Sequence, residues 1–295
     1  GPTAMKWKHM KAVISPTVLF FKSVFVLFDV GVMTILAVIL RLRQLPPSRL
    51  LFYAANPLAI VFVAGEGHMD SLQVFFLLLG CSLLLRRRHH SGILSLGLAV
   101  IFKYLAVAAA PFFWVRRAGF IQLALLLLPA VSFFCFMSAG KSVFGSFSKF
   151  GVNMHYNDGL MELLRMAFGG GALAVAGALF LLALTWVWLT EDDPLRGIYL
   201  AIGCLLILLP TLHPWYLLLV APFVCFFPSR AWLYLQAAVL FTFPVLGHEF
   251  RTDVFQEVPP LKLLEYIPFF ILLVWGIFRG GHFSDKGPFS IPETI

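Results

Sequence analysis

Long apolar runs alternate with short polar breaks along almost the whole chain. The runs lie at 18–40, 50–64, 71–85, 92–115, 118–138, 171–190, 197–212, 215–228, 231–247 and 263–279. A helix that crosses a membrane needs roughly 20 apolar residues, because the hydrocarbon core is about 30 Å thick and a helix rises about 1.5 Å per residue. The pattern therefore predicts an all-α, polytopic transmembrane helical bundle, in which residues 1–295 form a single transmembrane domain.

Arginines mark one side of this predicted bundle. They stand between the apolar runs, as Arg41, Arg43, Arg49, Arg86, Arg87, Arg88, Arg116, Arg117, Arg196, Arg230 and Arg279. Cytoplasmic loops of membrane proteins are enriched in Lys and Arg, so we place all of these clusters on the cytoplasmic side. Two runs then separate most neighbouring clusters. The exception is 92–115, which predicts a re-entrant hairpin with Lys103 and Tyr104 near its tip, and the total is about nine crossings plus this hairpin.

The same assignment divides the polar segments between the two sides of the membrane. Residues 139–170 and 248–262 become outer loops, and residues 280–295 become a cytoplasmic tail. Residues 1–17 have an amphipathic pattern, which is typical of a segment in the membrane interface. Because the chain opens on glycine rather than on an initiator methionine, we interpret residues 1–17 as the remnant of a first outer loop in an N-terminally truncated chain.

The overall composition agrees with a membrane protein and argues against a nucleic-acid partner. The chain is 60% hydrophobic and 12% charged, whereas a soluble domain is about a quarter charged. The net charge is +8, but the arginines occupy the breaks between apolar runs, as membrane-orienting charges do. The four cysteines stand singly within apolar runs, and this spacing predicts neither a disulfide framework nor a metal motif.

Polar residues gather on the predicted outer side, and they form the candidate site. They are Glu66, His68, Asp70, Lys103, His155, Asn157, Asp158, His213, Trp215, Tyr216 and the segment 248–257. Ionisable groups at membrane depth are costly unless they are paired or wet, so they indicate function by default. Acids beside histidines suit general acid–base chemistry or a divalent cation, and a nearby lysine suits an anionic phosphate.

Each of these residues also has a purely structural interpretation. His68 can hydrogen-bond a backbone carbonyl at a helix end, and Asp70 is predicted to cap the helix that follows it, since Asp favours that position. Lys103 can snorkel to an interface. Trp215 and Tyr216 are plausible members of an aromatic interfacial belt.

Three segments together resemble the GT-C superfamily of polytopic glycosyltransferases. The segments are NPLAIVFVAGEGHMDSLQVFFLLLG (56–80), LGLAVIFKYLAVAAAPFFW (96–114) and LHPWYLLLVAPF (212–223). Asn-Pro followed by Gly-His-x-Asp, a lysine within an apolar hairpin and a late His-Pro-Trp-Tyr are similar to motifs of the bacterial mannosyltransferase-like families that use polyprenyl-phosphate sugars. The segments also occur in the same order as in those families.

The resemblance implies transfer of a mannose-like hexose from a polyprenyl-phosphate donor to a lipid or glycan acceptor. It implies a multi-pass protein of the bacterial inner membrane, with its site on the non-cytoplasmic side and membrane lipids around it. It places the catalytic groups Glu66, His68 and Asp70 near the reacting atoms. It assigns substrate contacts to Lys103, Tyr104, His155, Asn157, Asp158, His213, Trp215 and Tyr216. The family usually carries a catalytic acid in its first outer loop, which would then lie upstream of Gly1. The resemblance implies no certain cofactor, and metal dependence is left open.

Three other interpretations of the polar residues stay open at the level of the sequence. A secondary transporter or channel also uses intramembrane charges and broken helices, although no inverted repeat is visible here. A non-catalytic membrane subunit would explain a chain without the upstream acid. Another lipid-linked membrane transferase, such as an acyltransferase, would also need a polar site in an apolar bundle.

Overall fold

The fold is known from a computed structural model, which describes residues 16–114, 122, 127–145, 156–242 and 258–278. Within these ranges the chain is helical and contains no β-strand, apart from an isolated bridge between Tyr156 and Thr211. The predicted all-α class is therefore confirmed. His155, the segment 248–257 and most of residues 1–17 lie outside the described residues.

Ten α-helices and several tighter or wider helical segments make up the described part of the chain. The α-helices are α1 (Pro16–Leu42), α2 (Leu51–Ala54), α3 (Asp70–Leu85), α4 (His89–Phe102), α5 (Leu128–Ser132), α6 (Gly159–Phe168), α7 (Ala172–Thr190), α8 (Pro194–Ile207), α9 (Arg230–Ala238) and α10 (Pro259–Phe278). The 3₁₀-helices are Pro47–Leu50, Tyr104–Phe113, Phe133–Phe144, Gly169–Gly171, Pro214–Leu219, Ala221–Cys225 and Val239–Thr242. Residues Ala59–Glu66 form a π-helix.

Fewer helices than predicted are long enough to cross a membrane. Among the described residues, three stretches have the necessary length and hydropathy: Pro16–Leu42, Gly159–Thr190 and Pro259–Phe278. A fourth is available if Pro47–Ala54 and Ala59–Glu66, which meet at an angle of 56°, count as one broken span. Other apolar helices, such as α3, α4 and α8, have only 10–17 residues. About nine crossings are therefore not confirmed.

The predicted hairpin at 92–115 corresponds to a chain that folds back on itself. Helix α4 ends at Phe102, Lys103 is extended (φ −161°, ψ 122°), and the next helix begins at Tyr104. A Cβ added to Gly92 would lie 3.7 Å from the Phe113 ring, so the end of the second helix lies beside the first turn of α4. This is the geometry that a hairpin requires, and its depth in a membrane stays a prediction.

The helices form one main core and leave two chemically different ends. Helix α1 packs against α3, and α3 packs against α4, in a core that includes buried residues such as Val32, Leu36 and Leu77. At one end, which we call the arginine end, Arg43, the residue that follows α1, pairs with Asp193, the residue that precedes α8. At the other end, which we call the polar end, Asp70 begins α3 and pairs with Lys103, which follows α4. The two ion pairs thus lie near opposite ends of α1, since Ser71, next to Asp70, donates to the Phe25 carbonyl in the first half of α1.

Candidate active site

The turn 65–70 is fixed by glycine geometry and by α1. The backbone N–H groups of Gly67 and His68 donate to carbonyls in the last turn of the π-helix, at 3.1 and 2.8 Å. Gly67 has a positive φ of 78°, and a Cβ there would lie 2.7 Å from the Lys22 side chain. Glycine is therefore required for both the backbone conformation and the space. Lys22 also donates to the Gly65 carbonyl, which ties the turn to α1.

Asp70 and Lys103 form an ion pair within this end of the bundle. The Lys103 Nζ donates to Asp70 Oδ1 at 2.5 Å, and the two side chains are 18% and 6% exposed. Asp70 is the first residue of α3, Met69 holds the N-cap position, and no side chain caps the helix. The prediction of Asp70 as an N-cap is therefore wrong. Lys103 likewise does not snorkel, because its ammonium group is paired inside the protein.

Two further contacts hold Lys103 in place. Its backbone carbonyl accepts a hydrogen bond from Gln73 Nε2 at 2.6 Å, which satisfies a group that the break after α4 leaves outside the helix. Its Nζ lies 3.9 Å from the centroid of the Tyr216 ring, a cation–π contact. Lys103 thereby joins the first two motifs to the third, because Asp70, Lys103 and Tyr216 come from separate segments of the chain.

A stack of aromatic and imidazole rings lies beside this pair. The His68 ring stacks on Trp215, with centroids 4.1 Å apart, and Trp215 stacks on His213 at 4.5 Å. His68 Nε2 also contacts Glu66 Oε2 at 3.1 Å, so its partner is a carboxylate and not the backbone carbonyl of the structural interpretation. Trp215 is sandwiched between two imidazoles, and it belongs to the cluster rather than to an interfacial belt.

Burial makes His213 a neutral imidazole at pH 7. Burial, followed by the charge of Lys103 and the nearby His68, lowers the pKa of His213 to about 4. His213 thus differs in burial from His68, whose side chain is 28% exposed and contacts a carboxylate.

Among the described residues, no group of three or more His, Cys, Asp or Glu side chains is placed to hold a metal ion.

The structure places the remaining predicted site residues in different surroundings. Tyr104 is 49% exposed and directly follows Lys103. Asp158 is buried in a separate ion cluster, where Lys262 Nζ lies 2.7 Å from its Oδ1 and Arg165 contacts its Oδ2. Asn157 is buried and has a positive φ of 48°.

Sequence reasoning missed residues that support the cluster. Tyr156 packs its ring 5.1 Å from that of His213, and Phe62 packs its ring 5.6 Å from that of Trp215. No pattern in the sequence distinguishes these two from other aromatic residues. Gln73 had a detectable signal, because it is a polar residue one turn after Asp70 in an otherwise apolar helix.

One comparison with known proteins matches the N-terminal part of the chain. The family model described as alpha-(1->6)-mannopyranosyltransferase, N-terminal domain, matches residues 1–119, which include the turn 65–70 and Lys103. Searches of curated proteins and of solved structures gave no match. The apolar helices and the family match identify a membrane protein. Residues 1–119 are therefore similar to the N-terminal domain of a GT-C-type mannosyltransferase family, and this match supports glycosyltransferase activity.

Proposed function

We propose that the polar end transfers a mannosyl group from a polyprenyl-phosphate donor to a lipid or glycan acceptor. The convergence of three segments supports this most directly: the turn 65–70, Lys103 and the segment 213–216 form one connected cluster through an ion pair, a cation–π contact and stacked rings. The cluster combines an accessible acid–base pair with a fixed cation, which are the groups that this transfer needs.

Accessibility divides the three predicted catalytic residues into two roles. The side chains of Glu66 and His68 are 43% and 28% exposed, whereas that of Asp70 is 6% exposed and bound to Lys103. We assign proton handling to Glu66 and His68, because a general acid or base must reach the reacting atoms. Asp70 is assigned as the residue that orients Lys103.

The proposed reaction is a displacement with inversion at the anomeric carbon. The acceptor hydroxyl loses its proton to a carboxylate and forms the new C–O bond. The bond between the anomeric carbon and the phosphate oxygen breaks, and its electron pair leaves with the polyprenyl phosphate. Lys103, held between Asp70 and Tyr216, supplies positive charge near that phosphate without reorganising, which is how preorganised electrostatics lower a barrier.

The proposed topology follows from the two ends of the bundle. With the arginine end in the cytoplasm, as the positive-inside rule favours, the polar end faces the non-cytoplasmic side of a bacterial inner membrane. About nine crossings and the re-entrant hairpin remain our proposal, in which short helices such as α3 and α4 begin or end at a recessed cavity. A donor in the outer leaflet then reaches the site laterally, with its phosphate at the level of Lys103.

The function is tested by measuring sugar transfer by the full-length protein in membranes, with polyprenyl-phosphate mannose as donor. We expect His68→Ala and Glu66→Gln each to lower the transfer rate about 100-fold or more, which is typical of losing general acid–base catalysis. Met69→Leu is the matched control, because Met69 lies in the same turn, is 46% exposed and has no role in the proposed reaction. An arm with EDTA tests metal dependence.

The outcomes separate the proposed function from its alternatives. Equal transfer by the wild type and by both variants would reduce Glu66 and His68 to structural residues. Absence of transfer by the wild type with several polyprenyl-phosphate sugars, together with solute flux in proteoliposomes, would favour a transporter instead.

A further inference from the structure

A second polar cluster links the start of α10 to the loop 156–158. Tyr266 donates its hydroxyl proton to the Asn157 carbonyl. Lys262, one turn earlier, contacts Asp158 at 2.7 Å and also contacts Glu162. Asp158 and Tyr266 are buried, so the contacts of these two residues are protected from water and are stronger than exposed ones.

The packing leaves this loop little freedom to move. Asn157 has a positive φ of 48°, which is uncommon for any residue except glycine. Gly159, the first residue of α6 just after the loop, lies against Tyr266 so closely that an added Cβ would be 2.3 Å from the ring. The Tyr266 ring and hydroxyl therefore both define where the loop lies.

The same loop supports His213 directly. The backbone N–H of Tyr156 donates to Pro210 O at 3.4 Å, and the Tyr156 carbonyl accepts from the N–H of Leu212 at 2.9 Å. The Tyr156 ring packs 5.1 Å from the His213 ring. Leu212, the residue just before His213, is thus hydrogen-bonded to Tyr156, the residue just before Asn157. A continuous series of contacts leads from α10 through Tyr156 and His213 to the ring stack.

We propose that Tyr266 and Lys262 are positioning residues, which hold loop 156–158 so that Tyr156 keeps His213 in place for transfer. The role of these residues in transfer rests on the proposed function, whereas the placement of His213 rests on geometry alone. It assigns a role in the site to α10, which lies outside the residues that match the family model.

Tyr266→Phe is the decisive variant, because it removes one hydroxyl and keeps the ring that fills the space beside Gly159. Tyr234→Phe is its matched control: the Tyr234 hydroxyl also donates to a carbonyl of α10, that of Leu264, at 2.6 Å, but it does not contact the loop. Both variants lose one tyrosine–carbonyl hydrogen bond, but the Tyr266 bond is buried and the Tyr234 bond is exposed. We therefore expect a larger loss of thermal stability in Tyr266→Phe, and both measurements are made well below its thermal midpoint.

Two measurements on the full-length protein test the placement of His213. The first is the kinetics of mannosyl transfer, where we expect Tyr266→Phe to lower kcat about tenfold with little change in KM, since small misplacements of reacting groups are costly. The second is modification of His213 by diethyl pyrocarbonate, located by mass spectrometry. His213 is 7% exposed in the protein, and we expect its modification rate to rise about twofold or more in Tyr266→Phe as the loop opens locally.

The controls separate this inference from the proposed function. Tyr234→Phe is expected to match the wild type in both measurements, and Lys262→Arg is expected to retain more activity than Lys262→Met because it keeps the charge. If Tyr266→Phe behaves like Tyr234→Phe, the positioning role is wrong even though the enzyme is active. If the wild type transfers no sugar, the proposed function fails, while an unchanged His213 modification rate in Tyr266→Phe would separately overturn the placement.

Discussion

The two ends of the bundle each contain a part-buried ion pair, but the pairs are built differently. At the arginine end, the guanidinium of Arg43 donates to both oxygens of Asp193, at 3.0 and 2.6 Å. Asp193 also caps α8 by accepting from the N–H of Leu195 at 3.0 Å, and Arg43 lies 5.3 Å from the Phe227 ring centroid. Both carboxylate oxygens are thus used to fix helix ends, which suits a structural pair.

The polar end uses a lysine instead of an arginine. An ammonium group is a compact point charge, whereas a guanidinium forms a planar fork that matches a carboxylate. Burial does not distinguish the pairs, because Arg43 and Asp193 are 12% and 23% exposed and Lys103 and Asp70 are 18% and 6% exposed. Their neighbours do distinguish them: Lys103 lies among titratable rings. The comparison indicates that the pair at the arginine end is structural, whereas the pair at the polar end takes part in the proposed chemistry.

The largest expected effect is that of Lys103→Met on transfer. The substitution removes the fixed cation near the proposed phosphate, and we expect the transfer rate to fall about 100- to 1,000-fold, as on loss of a preorganised donor. It also leaves the Asp70 carboxylate buried without its partner, so a loss of stability accompanies the loss of rate. Transfer is therefore expressed per folded molecule, after gel filtration in detergent.

The double variant Lys103→Met/Asp70→Asn separates the two causes. Removing both charges leaves no unpaired carboxylate in the protein interior. We therefore expect the thermal midpoint to return close to that of the wild type. Transfer should stay low, because the cation is still missing. Recovery of transfer in the double variant would show that the pair at the polar end is only structural, like the pair at the arginine end.

The next largest effect is a dependence of stability on pH that originates at His213. Its pKa is about 4 in the folded protein, against 6.5 for an unperturbed histidine. Between these values the unfolded chain binds more protons than the folded one, so stability falls as the pH decreases from about 6.5 towards 4. The full difference corresponds to about 3 kcal/mol, and it is absent above pH 6.5.

His213→Asn tests this dependence, because asparagine keeps a polar side chain but does not titrate. We expect the thermal midpoint of the wild type to fall more steeply than that of His213→Asn between pH 7 and pH 4.5. Identical slopes would mean that His213 is accessible to protons in the folded state, which would contradict its placement in the stack.

The separation of charges between the two ends could be predicted from the sequence. Arginine clusters between apolar runs predict one charged side, and the grouping of Glu66, His68 and Asp70 predicts a second polar region, because both inferences need only the order of residues. The break at Lys103 was also predictable, since a single apolar run lies between two arginine clusters. The number of crossings was not, because apolar runs of about 15 residues do not show whether a helix spans, bends or stops.

Side-chain partners depended on the fold and could not be derived. Asp70 has the chemistry of an N-cap residue, yet the helix begins at Asp70 itself, and a lysine 33 residues later offers its carboxylate a stronger, charged partner. Asp158 was predicted to contact substrate, and the folded chain pairs its carboxylate with Lys262, 104 residues later. Such choices are made between segments that only the folded chain brings together. Polar residues in an apolar sequence therefore locate a region of interest more reliably than they assign roles within it.

The smallest expected effects concern the arginine end. There we compare Arg43→Gln, which breaks a part-buried ion pair, with Arg196→Gln, which breaks a more exposed one. Arg43→Gln breaks the bidentate contact with Asp193 and is expected to cost about 2 kcal/mol of stability, less than a fully buried pair because both side chains keep some exposure. Arg196 contacts Glu191 at 3.4 Å and is 52% exposed, so its loss should cost no more than about 0.5 kcal/mol.

Transfer per folded molecule should stay within about twofold of the wild type in both variants, since neither residue reaches the polar end and uniform destabilisation acts through the amount of folded protein. Thermal midpoints in detergent measure the stability, and the mannosyl-transfer assay measures the rate. A loss of rate in Arg43→Gln as large as that in Lys103→Met would remove the distinction between the two ends. Both pairs would then act by holding helices, and the cation near the phosphate would have to be sought elsewhere in the polar end.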